Sequence, residues 1–167
     1  MLPLSDKTIR SSLVNASKKE VSDLTLPVGF DQIDWDRLDF LGWRDPKFSR
    51  RAYVLVPLLA DPSGSPVGIM LTSAEAKPTK RAQCSWCQDV SLPNDVLFYS
   101  ARRAGAAGRR GDSVGTLICA DFECSANVRR DPRVAYLGFD VEAARSARMA
   151  ALIEHMTGFA EDLARRE

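Results

Sequence analysis

Four cysteines in two close pairs constrain this 167-residue chain more than any other feature. Cys84-Ser85-Trp86-Cys87 is a C-x2-C pair and Cys119-Ala120-Asp121-Phe122-Glu123-Cys124 a C-x4-C pair, with 31 residues between Cys87 and Cys119. Two disulfides would suit a secreted chain. The opening MLPLSDKTIR, however, meets an acid and two bases before any apolar run develops, so no secretory signal is expected and the compartment is expected to be cytoplasmic. In a reducing compartment, paired cysteines of this kind suit one tetrahedral zinc ion, each pair gripping it from a tight turn. The competing readings are buried unligated thiols, a C-x2-C redox pair or an iron–sulfur site. A redox pair leaves Cys119 and Cys124 without a role, and no thioredoxin-like βαβ pattern surrounds Cys84.

The neighbouring residues refine the zinc reading. Cys84 and Cys87 sit in a polar knuckle, and Cys119 ends the apolar run Val114-Gly115-Thr116-Leu117-Ile118. Cys124 falls in the first turn of a short helix expected over 122–129 with Asp121 as its cap. Unpaired N–H groups at a helix start favour a thiolate. Knuckle, hairpin and ligand-bearing helix make a treble clef. With four protein ligands no coordination position is left for water, so the zinc is structural. Four thiolates and one Zn2+ take the formal charge from +1 to −1, and Arg81, Arg129 and Arg130 are placed to offset the site.

Around this module the chain reads as α+β: a small antiparallel sheet, short N-terminal helices and a long C-terminal helix. Ile9, Leu13 and Ala16 give an apolar stripe to a helix over 5–19 capped by Ser5. Trp35, Leu38 and Leu41 do the same for a helix over 34–41 capped by Asp34. The runs 52–59 and 67–72 flank turn chemistry at 61–66 and predict a hairpin. Further strands are expected at 96–102 and 114–119. The last helix, about 141–165 and capped by Asp140, carries Val141, Ala144, Leu152, Met156, Phe159 and Leu163 on one face. The division expected is a helical appendage over 1–30 and one domain over 31–167, with the finger at about 81–131. The longest uncharged stretch, Pro62 to Ala74, is thirteen residues with two prolines and two glycines, so no membrane partner is expected.

These residues resemble a known family. Cys84-Ser85-Trp86-Cys87, the run from Val114 through Cys119 to Cys124-Ser125, and Val128-Arg129 look like the C-terminal treble-clef zinc-finger domain of the elongation factor G-binding proteins, the fusidic-acid-resistance proteins of FusB type. Phe40-Leu41-Gly42-Trp43-Arg44-Asp45-Pro46 and the Tyr53 hairpin fit the same domain. The resemblance implies one structural Zn2+ and a zinc domain that binds elongation factor G and promotes its release from the ribosome. It also implies a contact residue at Leu117, where resistance-type members are expected to carry an aromatic. The better-known members have an N-terminal four-helix bundle; here about thirty residues precede the matching region.

The candidate contact residues are otherwise read from the sequence. Arg102, Arg103, Arg109 and Arg110 put four bases and no acid into nine residues, a flexible basic finger suited to an acidic protein face or ribosomal RNA, or simply a solvated loop. Trp86, Phe98 and Tyr99 are either partner anchors or core beneath the metal. His155 reads as a helix-surface residue. With one histidine, no P-loop and no acid/base constellation, no enzymatic activity or small-molecule substrate is expected. Bulk charge is nearly balanced at 23 bases to 22 acids, which weakens the alternative of an rRNA-binding zinc finger. A monomer is expected.

Overall fold

The computed structural model describes residues 1–58, 65–74, 82–89, 95–131 and 138–165. Twelve elements follow in chain order among these. They are α1 (Asp6–Ser12), α2 (Lys18–Asp23), two 3-10 turns (Phe30–Gln32 and Trp35–Arg37), β1 (Leu41–Arg44), β2 (Arg51–Pro57) and β3 (Pro66–Ser73). Then come β4 (Val96–Arg102), α3 (Gly105–Arg109), β5 (Ser113–Cys119), α4 (Cys124–Val128) and α5 (Val141–Ala164). The strands form one antiparallel sheet in sequential order. The α+β architecture expected from the sequence is the one observed.

β2 lies between two apolar layers, which is why Ala52 to Val56 are all buried rather than alternating. On one face Val54, Val56, Ile69, Leu71, Tyr99 and Ile118 meet Leu152, Met156, Ala160 and Leu163 of α5. Those four recur every three or four residues, so a single stripe of α5 covers the sheet. Asp140 caps the helix as expected, its carboxylate accepting from the Ala143 N–H at 2.8 Å. On the other face Tyr53, Leu55, Met70, Leu41 and Trp43 pack with Ile9 and Leu24. The first thirty residues, expected as an appendage, thus supply side chains to this second layer.

The helix expected over 5–19 is two helices. Ser17 and Glu20 form a capping box that starts α2 afresh. The break at Leu13–Asn15 has a structural purpose. β3 and β4 pair only at Thr72–Ser100 and Ser73–Tyr99 and then diverge. Leu13 bridges Gly68 in parallel, and the Val14 N–H donates to the Gly68 carbonyl at 2.9 Å. The Asn15 amide donates to the Met70 carbonyl at 2.9 Å and accepts from the Met70 N–H at 2.8 Å, while donating to the Arg102 carbonyl at 3.0 Å. A side chain therefore does a strand's work in the opening. Gly68 is required there, since a Cβ would lie 2.4 Å from Ser12 Oγ.

The helix expected over 34–41 is also corrected. Asp34 makes no side-chain cap, only a 3-10 turn forms, and Leu41–Arg44 is the edge strand β1. Leu41 and Trp43 point to one apolar layer, a period of two that outweighs the helical spacing of Trp35, Leu38 and Leu41. The β2–β3 register from Arg51–Thr72 to Pro57–Pro66 matches the expected hairpin, whose turn at 61–66 lies mostly outside the described residues.

Candidate metal centre

Both ligand pairs use the same local device. After Cys84–Cys87 the chain enters the left-handed region at Gln88 (φ 56°), and the Gln88 N–H donates to the Cys84 carbonyl at 2.9 Å. After Cys119, Phe122 is left-handed (φ 61°), and its N–H donates to the Cys119 carbonyl at 3.0 Å. The knuckle is tied to the sheet by the Ser85 N–H on the Leu117 carbonyl at 2.7 Å. Cys124 opens α4, as expected, although the helix is shorter than 122–129. Asp121 does not cap it: Glu123 holds the N-cap position, and its carboxylate accepts from the Asp121 N–H at 3.3 Å.

The four sulfurs converge. Cys84 and Cys124 Sγ are 3.6 Å apart, Cys87 and Cys119 Sγ 3.7 Å, and all four lie within 4.8 Å of one another. None is disulfide-bonded and all are buried. Zn–S bonds of about 2.3 Å in a tetrahedron separate sulfurs by about 3.8 Å, so the donor set fits one zinc ion. The sulfurs crowd one another so closely that one proton among them is drawn off and the others are held, the Cys84 thiol being drawn down and the Cys124 thiol pushed up. Four such thiols ionise together only around a dication. Cys84, Cys87, Cys119 and Cys124 hold one structural Zn2+.

The expected charge compensation is corrected in part. Arg129 is engaged elsewhere, donating to both carboxylate oxygens of Asp39 at 2.5 and 2.9 Å and to the Ser125 carbonyl at 2.8 Å. Arg130 is exposed, and its backbone carbonyl accepts from Arg148, which leaves the expectation for its side chain as it stood. Arg81 lies outside the described residues. Among the described residues, one the sequence analysis had not singled out does reach the sulfurs: Asn127 Nδ2 is 3.4 Å from Cys119 Sγ and 3.9 Å from Cys87 Sγ. His155 is corrected as well. Its Nδ1 lies 3.0 Å from the Trp86 carbonyl, which can only accept, so Nδ1 carries the proton and α5 is fastened to the knuckle.

The candidate contact residues separate into two groups. Trp86 and Tyr99 are core, 1% and 0% exposed, and offer no surface to a partner. Trp86 packs edge-on against Phe40 at 5.0 Å and also meets Phe159. Tyr99 donates to the Ala120 carbonyl at 2.9 Å, and burial pushes its hydroxyl up to about 12. Phe98 is 48% exposed, sits opposite Leu117 and covers Gly115, where a Cβ would lie 2.3 Å from the ring.

The basic segment is folded rather than a flexible finger. Ala104 and Ala107 are buried, and the Ala104 N–H donates to the Leu163 carbonyl at 3.0 Å. Gly108 lies so close to the Arg103 carbonyl that a Cβ would overlap it at 1.8 Å. Arg103 grips both carboxylate oxygens of Asp162 and the Asp162 carbonyl, and Arg102 grips Glu20. Arg109 and Arg110 stay exposed, with Arg110 3.6 Å from Asp112.

A knuckle, a hairpin and a helix that together place four thiolates round one ion define a treble-clef zinc finger. The chain belongs to the FBP C-terminal treble-clef zinc-finger family, whose model matches residues 8–163. The solved structure of the fusidic acid resistance protein FusC is similar, with a TM-score of 0.51 and 18% identity over 85% of this chain. The match takes in 57% of FusC, and at that identity it shows the fold alone. No curated protein sequence matches the chain. Among the described residues no helix is long and apolar enough to cross a membrane.

Proposed function

We propose that this protein is a non-catalytic, zinc-stabilised binding module that engages elongation factor G and modulates its release from the ribosome. The family match and the likeness to a fusidic acid resistance protein support this reading. The carrying observation is the outer face of β4 and β5. Residues 1–38 pack over β1 to β3, while among the described residues Phe98 stands half-exposed on β4, opposite the partly buried Leu117 of β5. A large aromatic on a rigid strand next to a metal-anchored turn loses little freedom on binding. Arg109 and Arg110 supply cations at the far end of the same hairpin. The protein acts as a cytoplasmic monomer in this reading.

The test is calorimetric titration of purified elongation factor G with wild type, Phe98→Ala and Arg109→Ala/Arg110→Ala. Each variant should bind at least about tenfold more weakly, about 1.4 kcal/mol. The arginine variant should lose little thermal stability, because exposed charges contribute little to the fold, and for Phe98→Ala a melting curve beside the titration separates lost packing over Gly115 from lost contact. Wild-type affinity in both would remove the β4–β5 face from the contact. No binding by the wild-type protein would sink the reading itself.

A further inference from the structure

We infer that Asn127 tunes the zinc centre: its amide, shared between Cys119 and Cys87, sets how firmly the metal is held and how reactive the Cys119 thiolate is. Asn127 is 1% exposed, on the helical turn that delivers Cys124. Its backbone N–H donates to the Glu123 carbonyl at 2.9 Å, which fixes α4 and aims the side chain. The amide then lies 3.4 Å from Cys119 Sγ and 3.9 Å from Cys87 Sγ. A primary amide buried this deeply is costly unless partnered, and leucine would fill the same space without that cost. The Cys119 sulfur, 3.4 Å from the amide nitrogen, is one partner that offsets that cost.

The chemistry follows from the site's charge. Four thiolates around Zn2+ carry a net charge of minus two, and Arg129 is committed to Asp39. A neutral N–H donor drains electron density from the sulfur it touches, which makes that sulfur a poorer nucleophile and a poorer base. Residues in this position round a metal are worth ten- to a hundredfold in metal affinity. Because 3.4 Å is the shorter contact, the effect falls mainly on Cys119. The inference rests on the zinc centre and not on the identity of any partner.

Asn127→Leu removes the donors at similar volume, and Asn127→Asp replaces them with a carboxylate. Competition with a chromophoric chelator should show zinc held about tenfold or more weakly in Asn127→Leu, and weaker still in Asn127→Asp. In the cobalt(II)-loaded protein the sulfur-to-metal charge-transfer band should move to lower energy. Iodoacetamide, whose iodide is displaced by the thiolate, should label the zinc-loaded variants fastest at Cys119, read by peptide mapping. A packing role alone would move neither the band nor the order of labelling. An unshifted band together with wild-type labelling overturns the inference, and so does acceleration that is equal at all four cysteines. Should Asn127→Leu not fold, the cobalt band and labelling order of Asn127→Asp decide by the same criteria.

Discussion

Arg129 and Asp39, ninety positions apart in the chain, form a two-pronged ion pair at 2.5 and 2.9 Å that joins the metal-bearing helix to the segment entering β1. Their side chains are only 23% and 8% exposed, and the Asp39 N–H also donates to Ser125 Oγ at 3.0 Å. Hydrogen bonding to Asp39 raises the Arg129 guanidinium further above its ordinary range, outweighing the opposing effect of burial. Asp39→Ala leaves that cation half-buried without its partner and should cost about 3 kcal/mol in urea unfolding. Adding Arg129→Leu should restore part of the loss, because the uncompensated charge is then gone.

Asn15 should be as costly to remove for a different reason. Asn15→Ala leaves the Met70 N–H and carbonyl unpaired in the gap between β3 and β4, a loss of about 2 to 3 kcal/mol. Asn15→Asp should be no better, since its carboxylate would face the Met70 and Arg102 carbonyls. Denaturant midpoints of the two variants check this.

Gly42 on β1 is pressed against the Phe122 ring, where a Cβ would lie 2.6 Å from the nearest ring carbon. Gly42→Ala should therefore push on the left-handed turn between Cys119 and Cys124 and cost about 1 to 3 kcal/mol. Combined with Phe122→Ala the two losses should be less than additive in a double-mutant cycle.

Glu20 gives the stability an acid-sensitive component. Burial alone would raise its carboxyl, but hydrogen bonds from Ser17 and the nearby Arg102 cation together hold it below its ordinary 4.5. A carboxyl lowered on folding adds stability above its unfolded titration and loses it as pH falls through the folded value. Stability should thus decline as pH drops below about 4.5, and Glu20→Gln should flatten that part of the curve, measured as urea midpoints from about pH 6 to about pH 3.

Zinc removal tests the centre as a whole. Cys84, Cys87, Cys119 and Cys124 share one apolar layer with Leu152 and Met156 of α5. Cys119→Ser should bind no zinc by elemental analysis, against one ion per chain for wild type. Its stability should fall by about 4 kcal/mol or more. The layer around Ile9, Trp43 and Tyr53 lies on the opposite face, so residual structure should persist there.

The elements legible in the sequence are those whose evidence is local. The cysteine spacing announces the metal, and the three- and four-residue recurrence of Leu152, Met156 and Leu163 announces α5. What escaped depends on distant partners. β1 was hidden because Leu41 also continues a helical stripe, and only pairing with Ala52 to Leu55 decides between the two periods. Asn15, Asn127 and His155 are ordinary polar residues until the fold sets them against Met70, Cys119 and Trp86. The basic segment looked like a free loop because charge dominates its composition. Its alanines and glycines, which allow close packing, carried the better information.

The strand-like stretch Leu13–Asn15 also has a consequence for the order of events during synthesis. Its places on the sheet are made by Gly68, Met70 and Arg102, the last of them 87 residues further along the chain. A segment translated early therefore waits, its apolar side chains without a docking surface, until most of the sheet has left the ribosome. Closing so large a loop is entropically slow. During that wait the diverging edges of β3 and β4 are open to strands from other chains, so misfolding should be seeded there rather than at the metal centre.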